Sequence, residues 1–322
     1  MNYHLIKYEA RYQSIWDDFI PRTANGTFMH KRAYMDYHAD RFEDFSWMIF
    51  EGEKLKAVLP AHRTGKDLYA HNGLTYSDFL FHYKLKLEHK VLILEAALPY
   101  LHKAEIEHIH LKSIPWVFQS LIDDSNTYLY HQLQAEMKQV KPFFVRINGN
   151  EIPVNRNRKK NLKKMSGRGY HLTEGVELLP EFWQVVEQNL KERYASRPVH
   201  SLEEIQLLMS RFPNEIKLFS LKVNDKLLAG ALVYYINRAI HFQYIHAVSG
   251  EQEREAVEWL VYHLVQAHAD KEFISFGTSG VEGNNLHKGL VYWKQSFGST
   301  LINQFYWDIP VANYPLLKNI LQ

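Results

Sequence analysis

Residues 276–298, FGTSGVEGNNLHKGLVYWKQSFG, open with three glycines and two adjacent asparagines directly after an apolar run, and carry Tyr292 and Lys294 further on. The first chemistry such glycines suggest is a phosphate cradle. Gly277, Gly280 and Gly283 are spaced GxxGxxG, however, which matches neither common phosphate-binding pattern, and Glu282 would meet an anion with like charge. They read instead as tight, positive-φ turns at the end of a strand. A second stretch, NRNRKKNLKKMSGRGY, carries Arg156, Arg158, Lys159, Lys160, Lys163 and Lys164 almost without interruption. Such a run is either a solvated face or an anion contact, to a nucleotide-sugar diphosphate, a lipid-linked pyrophosphate or a tRNA backbone. No aromatic residue interleaves with its charges before Tyr170, so nothing in it reads base sequence. Two further stretches, NGTFMHKRAYMDYH from Asn25 and YAHNGLTYSDF from Tyr69, set polar and aromatic groups beside a glycine. That composition suits a grip on a polar acceptor such as a sugar, with His30 and Tyr76 as candidate contacts. Asn25-Gly26 and Asn72-Gly73 read equally as ordinary turns, with Thr27 capping the next helix. There are 18 histidines, but His108-Ile-His110 is a strand alternation and not a ligand pattern, and no metal is expected.

The elements that must position these groups occur in a pattern that appears twice. In the second half, Ser201-Leu-Glu-Glu204 is a capping box for a helix with Leu202, Ile205, Leu208, Met209 and Phe212 on one face. KLFSLKV, LLAGALVYYI and AIHFQYIHAV follow, separated by Asn224-Asp225 and Asn237-Arg238, and predict a three-stranded antiparallel meander. EQEREAVEWLVYHLVQAHA keeps a helical period, and FISFG and the opening stretch add a strand and a helix. The first half has the same order. Helical patterns around Gln13–Phe19 and Arg32–Arg41 precede FSWMIF, KLKAVLPAHR and DLYAHNG. A helix through LILEAALPYLHKA, the strand EHIHLK and a short helix opened by Pro115 come next. Gly52 and Asn224, and Gly65 and Asn237, are both 172 residues apart (224 − 52, 237 − 65), which predicts a duplicated unit.

The 322 residues, 46% hydrophobic and 14% aromatic, suffice for more than one ~100–200-residue core. With 38 basic and 36 acidic residues the net charge is only +2, so no global field draws the chain to DNA or to a membrane surface. The absence of cysteine removes disulfides, thiolate metal sites and cysteine nucleophiles. The N-terminus lacks the layout of a secretory signal, and no run approaches the ~20 apolar residues of a membrane span. A soluble, cytoplasmic protein is the expectation.

Helix, helix, three-stranded meander, helix, strand, helix and closing strands is an order that resembles the GNAT N-acyltransferase fold. Two such units resemble the tandem Fem-type transferases and polysaccharide-locus acyltransferases. The resemblance implies an α/β protein with mixed sheets, built of two GNAT-like units: residues 1–150 binding the acceptor, and 151–322 binding the donor and holding the catalytic groups. Many relatives carry an Asn opening the fourth helix, then a Tyr seven, a Lys nine and a Phe twelve residues on. Asn285, Tyr292, Lys294 and Phe297 stand at those spacings, and Lys294 to Gly298 resembles the KxxFG ending of Fem-type proteins.

By that resemblance, Tyr292 would return a proton to the leaving group, Lys294 would contact an anion and Asn285 would lie in the donor site. The donor's arm would run between the fourth and fifth strands, with its pyrophosphate on the amides of Val248, Ser249 and Gly250 at a helix start. Simple alternation puts His241, Gln243 and Ile245 on one strand face and Phe242, Tyr244 and His246 on the other, with His246 a candidate base. The family's CoA signature has no match in Val248–Glu253, whose glutamates oppose a bound pyrophosphate. The implied co-substrate is acetyl-CoA or another acyl-CoA, with aminoacyl-tRNA as the alternative. The acceptor would be an amino sugar or cell-wall precursor, with Arg156, Arg158 and Lys160 on its anionic part. A non-catalytic anion- or glycan-binding module on the same fold is a further alternative.

Overall fold

Both pairs of hairpin turns adopt the backbone that their residue types predict. Gly52, Gly65, Asn224 and Asn237 have φ of +58°, +61°, +48° and +47°. Glycine and asparagine tolerate this left-handed region, which twists a tight hairpin in the sense of its strands. The computed structural model describes residues 2–149, 152–165, 167–250, 253–279 and 285–321. The chain forms two compact units, Met1–Lys141 with Asn303–Gln322, and Pro142–Ile302.

The first unit contains β1 (Tyr3–Lys7), α1 (Gln13–Phe19), α2 (Arg32–Met35), β2 (Trp47–Glu51), β3 (Lys54–Leu59), β4 (His62–Thr64), β5 (Asp67–Tyr69), β6 (Leu80–Phe81), α3 (Leu87–Lys103), β7 (His108–Lys112), α4 (Ser125–Gln132) and the start of β8 (Glu136–Ile147). KLKAVLPAHR is not the single strand its pattern predicts. It breaks at Pro60, which has no N–H for a ladder, and β3 joins β1, β2 and β6 while β4 pairs with β5. The expected helix over Arg32–Arg41 is shorter as well, and passes into a 3₁₀ turn at Asp36–His38. Ile93, Leu94, Leu98 and Leu101 of α3 pack on the sheet residues Leu68, Ile109, Leu111 and Ile309.

The second unit contains the end of β8, then α5 (Arg156–Met165), β9 (His171–Glu174), α6 (Leu179–Tyr194), α7 (Leu202–Arg211), β10 (Ile216–Val223), β11 (Lys226–Ile236), β12 (Ala239–Ala247), α8 (Glu253–Ala267), β13 (Phe273–Thr278), α9 (Lys288–Gln295) and the start of β14 (Thr300–Pro310). The rest of β14 pairs with β7 in the first unit. The Ser201 hydroxyl accepts from Glu204 N while the Glu204 carboxylate accepts from Ser201 N, the capping box expected for α7. Strand order within this unit is β8-β13-β12-β11-β10-β9. Ala256, Leu260, Val261 and Leu264 of α8 pack with Ile240 and Phe242, while Phe182, Trp183 and Val186 of α6 are fully buried. No helix among the described residues is long and apolar enough to cross a membrane.

Candidate active site

A fork in the second unit organises the site. β12 and β13 pair in parallel only at Ala239↔Phe273, Ile240↔Ile274 and His241↔Ser275, although β12 continues to Ala247 and β13 to Thr278. Beyond His241, β12 is paired to β11 on its other side, and beyond Ser275, β13 is paired to β8. Beyond the His241↔Ser275 rung β12 and β13 are no longer paired to each other. On β13 the Gly277 N–H donates to Ser275 Oγ and the Gly277 and Thr278 carbonyls accept from Lys294, while an edge such as that of β12 is the kind an extended, amide-bearing ligand joins as an added strand.

β12 also carries a bulge. Leu232 pairs with Tyr244 and Val233 with Phe242, which leaves Gln243 as an extra residue. Simple alternation therefore fails across it. His241, Tyr244 and His246 oppose Tyr234, Leu232 and Gly230 on one face, while Phe242, Ile245 and Ala247 oppose Val233, Ala231 and Ala229 on the other. The second set lies in the core with α8, so the bulge gathers the polar groups on the α6 side.

At the crotch of the fork, His241 Nδ1 and Ser275 Oγ are 2.9 Å apart and share a hydrogen bond across the last paired rung. Burial, with the Lys294 charge adding to it, lowers the His241 pKa to about 4, so the ring is neutral. Lys294 reaches from α9 to the end of β13, where its Nζ donates to Gly277 O at 3.2 Å and Thr278 O at 2.5 Å. It is 5% exposed, and burial alone lowers its pKa to about 7. Gly277 has φ +67°, the turn expected of it, while Gly280 and Gly283 lie outside the described residues.

This fork sits in a stretch with a family match. Residues 154–288 match the model described as an acetyltransferase (GNAT) domain. The chain is a tandem GNAT-fold protein. Its fold is similar to that of FemX over 99% of this chain and 100% of that one, at 12% identity and a TM-score of 0.68. L-PGS from Bacillus licheniformis aligns over 97% of this chain and 96% of its own, at 10% identity and TM-score 0.60. A tandem GNAT protein from the clavulanic acid biosynthesis pathway aligns over 96% and 99%, at 11% identity and TM-score 0.51. No curated protein matches the sequence.

Within the GNAT frame the anticipated residues fall into three groups. Tyr292 on α9 is 55% exposed, and His246 lies half-buried at the end of β12 with its pKa lowered to about 4 by burial and by Arg193. Lys294 is buried at the end of β13, its Nζ held by two carbonyls and not out in solvent. Asn285 is exposed and does not open the helix. α9 starts at Lys288, capped by His287, whose ring accepts from Leu290 N at 3.1 Å. Phe297 is buried on Phe276 and Trp293. The Phe-Gly order has a steric reason: Gly298 has φ +83°, and a Cβ there would lie 2.3 Å from Ile152 O.

The turn expected to hold the donor's pyrophosphate is partly committed already. The Val248 N–H donates to Leu228 O at 2.9 Å, so it is not free for a phosphate, and the Ser249 hydroxyl donates to Asn189 Oδ1 at 3.3 Å. Gly250 carries φ +150°, and Glu251 and Gln252 lie outside the described residues. Glu253 and Glu255 at the start of α8 are ion-paired with Arg193 and Arg168, which offsets the repulsion expected of them.

A third group sits away from the fork or is used for packing. On α5, Arg156, Lys159, Lys160, Lys163 and Lys164 are exposed, but Arg158 is 5% exposed. Its guanidinium pairs with Glu258, donates to Ser296 Oγ at 2.7 Å and lies 4.6 Å over Phe297, so it holds α5 to the fold and is not an acceptor contact. His30 and Tyr76, in the first unit, are buried to 0% and 1% exposure. His30 completes a capping box with Thr27 and presents no surface to an acceptor. Among the described residues no group of His, Asp and Glu side chains is arranged to hold a metal ion.

Sequence reasoning passed over two features. Tyr244 OH and His200 Nδ1 are 3.0 Å apart on the α6 side of β12, and burial raises the Tyr244 pKa to about 12. The bulge hid this pair. The other is a matching fork in the first unit, where β5 and β7 pair in parallel over Asp67↔His108, Leu68↔Ile109 and Tyr69↔His110. Residues 239–241 of β12 stand 172 positions after 67–69 of β5 (239 − 67), the offset of the turns. Here the chain itself enters the gap. Ala70 N donates to His110 O, Ser77 and Lys112 exchange main-chain hydrogen bonds of 2.9 and 3.2 Å, and Lys112 Nζ donates to Leu74 O. Ala70, Leu74, Tyr76, Ser77 and Asp78 are all buried, so the stretch that looked like an acceptor grip is a plug.

Proposed function

We propose that the protein transfers an acyl group from an acyl-CoA to an amine on a polar acceptor such as an amino sugar or cell-wall precursor. The observation that carries this reading is the early end of β12–β13 pairing at His241↔Ser275, which leaves a slot for the donor's amide-bearing arm. The fit extends to the α8 start, where Arg193 and Arg168 compensate the glutamates and Ser249 and Gly250 offer amides to a pyrophosphate. When bound, the donor supplies the activated carbonyl.

In this reading the amine nitrogen attacks that carbonyl, the carbon–sulfur bond breaks, the amine loses a proton and the thiolate gains one. His246, neutral and half-buried, takes the proton from the amine. The Lys294 ammonium, desolvated at the crotch, stabilises the charge that builds on the carbonyl oxygen. Exposed Tyr292 returns a proton to sulfur. The plugged fork of the first unit fits a unit that does not hold the donor.

Calorimetric titration with acetyl-CoA and desulfo-CoA tests the donor, and no binding at millimolar ligand sinks the acyl-CoA reading. With a substrate pair in hand, Tyr292→Phe and Lys294→Met should each lower kcat by about 10²-fold or more. Unchanged turnover in both would remove them from the site. A second reading, transfer from aminoacyl-tRNA, is favoured by the five exposed cations of α5. It predicts tRNA affinity that falls steeply with salt, with a shallower slope in a Lys159/Lys160/Lys163 triple alanine variant. Binding of glycans or anions without turnover of any acyl-CoA or aminoacyl-tRNA would instead mark a binding module.

A further inference from the structure

Asn189 lies on α6 beside the end of β12 and is 2% exposed. A buried carboxamide needs partners at both ends. Its Nδ2 donates to Ala247 O at 2.9 Å, and its Oδ1 accepts from Ser249 Oγ at 3.3 Å. One helical turn on, Arg193 is ion-paired with Glu253, the first residue of α8. The same face of α6 therefore grips the chain on both sides of the turn, at the last residues of the strand and the first of the helix. From the opposite side Val248 N donates to Leu228 O in β11. Packing does not demand an amide here: Phe182 and Val186, on the same stripe of α6, are buried apolar residues, and an isosteric leucine would fill the volume.

We infer that Asn189 is a positioning residue for the donor, fixing where Ser249 and Gly250 stand against the start of α8. The inference rests on the acyltransferase reading, and adds to it a residue that touches neither substrate. Losing one anchoring hydrogen bond of this kind weakens donor binding by about tenfold, which is ~1.4 kcal/mol.

The test compares the unaltered protein with Asn189→Leu, which removes both contacts, and Asn189→Asp, which keeps the acceptor for Ser249 and loses the donor to Ala247. Two readouts are taken: the Kd for acetyl-CoA by calorimetry, and amide hydrogen exchange along the second unit. Both variants should raise Kd about tenfold or more, with faster exchange confined to residues 246–250. In turnover the donor KM should rise while the acceptor KM holds. An unchanged Kd, or faster exchange spread over the whole unit, overturns the inference and assigns Asn189 to packing alone. If the unaltered protein binds no acetyl-CoA, the acyl-CoA reading fails by itself. The exchange pattern then still decides the anchoring: localised acceleration upholds the hold on the turn, and its absence overturns it.

Discussion

Arg158 and Lys160 share one basic run and have opposite fates. Arg158 falls with Leu162 and Met165 on the buried face of α5, at helical spacing of four and three residues, and meets Glu258 inside the fold. That spacing was the signal available in the sequence, since a charge in phase with two apolar residues is a charge that turns inward. What composition could not reveal is the partner, because Glu258 lies on another helix. The two residues should separate in thermal unfolding. Arg158→Met leaves the buried Glu258 carboxylate with only the exposed Arg254, at 2.9 Å, as its charged partner, and strips Ser296 of its donor; it should cost about 1–3 kcal/mol, whereas Lys160→Ala should stay within about 0.5 kcal/mol. Equal melting temperatures for the two variants would contradict the packing role given to Arg158. Lys294 teaches the same lesson. Its residue type and spacing were legible, and its burial on two carbonyls was not.

At the level of elements, hairpins were the most legible part. Asn224-Asp225 and Asn237-Arg238 name their turns by residue type, and Ser201/Glu204 name a helix start. Bulges leave no such mark, because one extra residue such as Gln243 alters register without altering the apolar pattern on either side. Yet it decides which face of β12 carries His241, Tyr244 and His246 together. Deleting Gln243 should restore plain alternation and turn one part of the strand over, driving polar groups toward α8 or unpairing the strand. The expected result is loss of acetyl-CoA binding together with a destabilisation of several kcal/mol, read by calorimetry and denaturant unfolding. A deletion variant that binds normally would show that the bulge does not shape the site. KLKAVLPAHR was misread for a related reason: Pro60 ends a ladder, but sequence alone does not say that the two pieces join different sheets.

For the molecule as a whole, the order of elements and the repeat at 172 residues were readable, and they led to the tandem fold. Hidden from that reading was the difference between the copies, since pairing across Ser77 and Lys112 is a contact between segments far apart in the chain. One consequence is stoichiometric. Titration with a donor should saturate at one equivalent per chain, and two equivalents would mean that the first fork opens. A second concerns acid. His30, His62 and His241 are buried, and desolvation lowers each pKa to about 4. Unfolding returns them to about 6.5, so between those values the unfolded chain binds more protons than the folded one. The stability they contribute is complete above about pH 6.5 and is lost as pH falls toward 4, at up to ~3 kcal/mol for each histidine. Chemical denaturation at pH 7 and pH 5 should show this fall, and a flat profile would count against the neutral, buried assignment.

The stretch Ala70–Asp78 occupies, in the first copy, the gap between parallel strands that corresponds to the β12–β13 gap of the second. It is a resident pseudo-ligand, made of the chain and held there at an effective concentration set by its short tether. A ligand competing for that slot would have to evict a tethered rival. Removing that segment would expose the β5 and β7 edges it now covers.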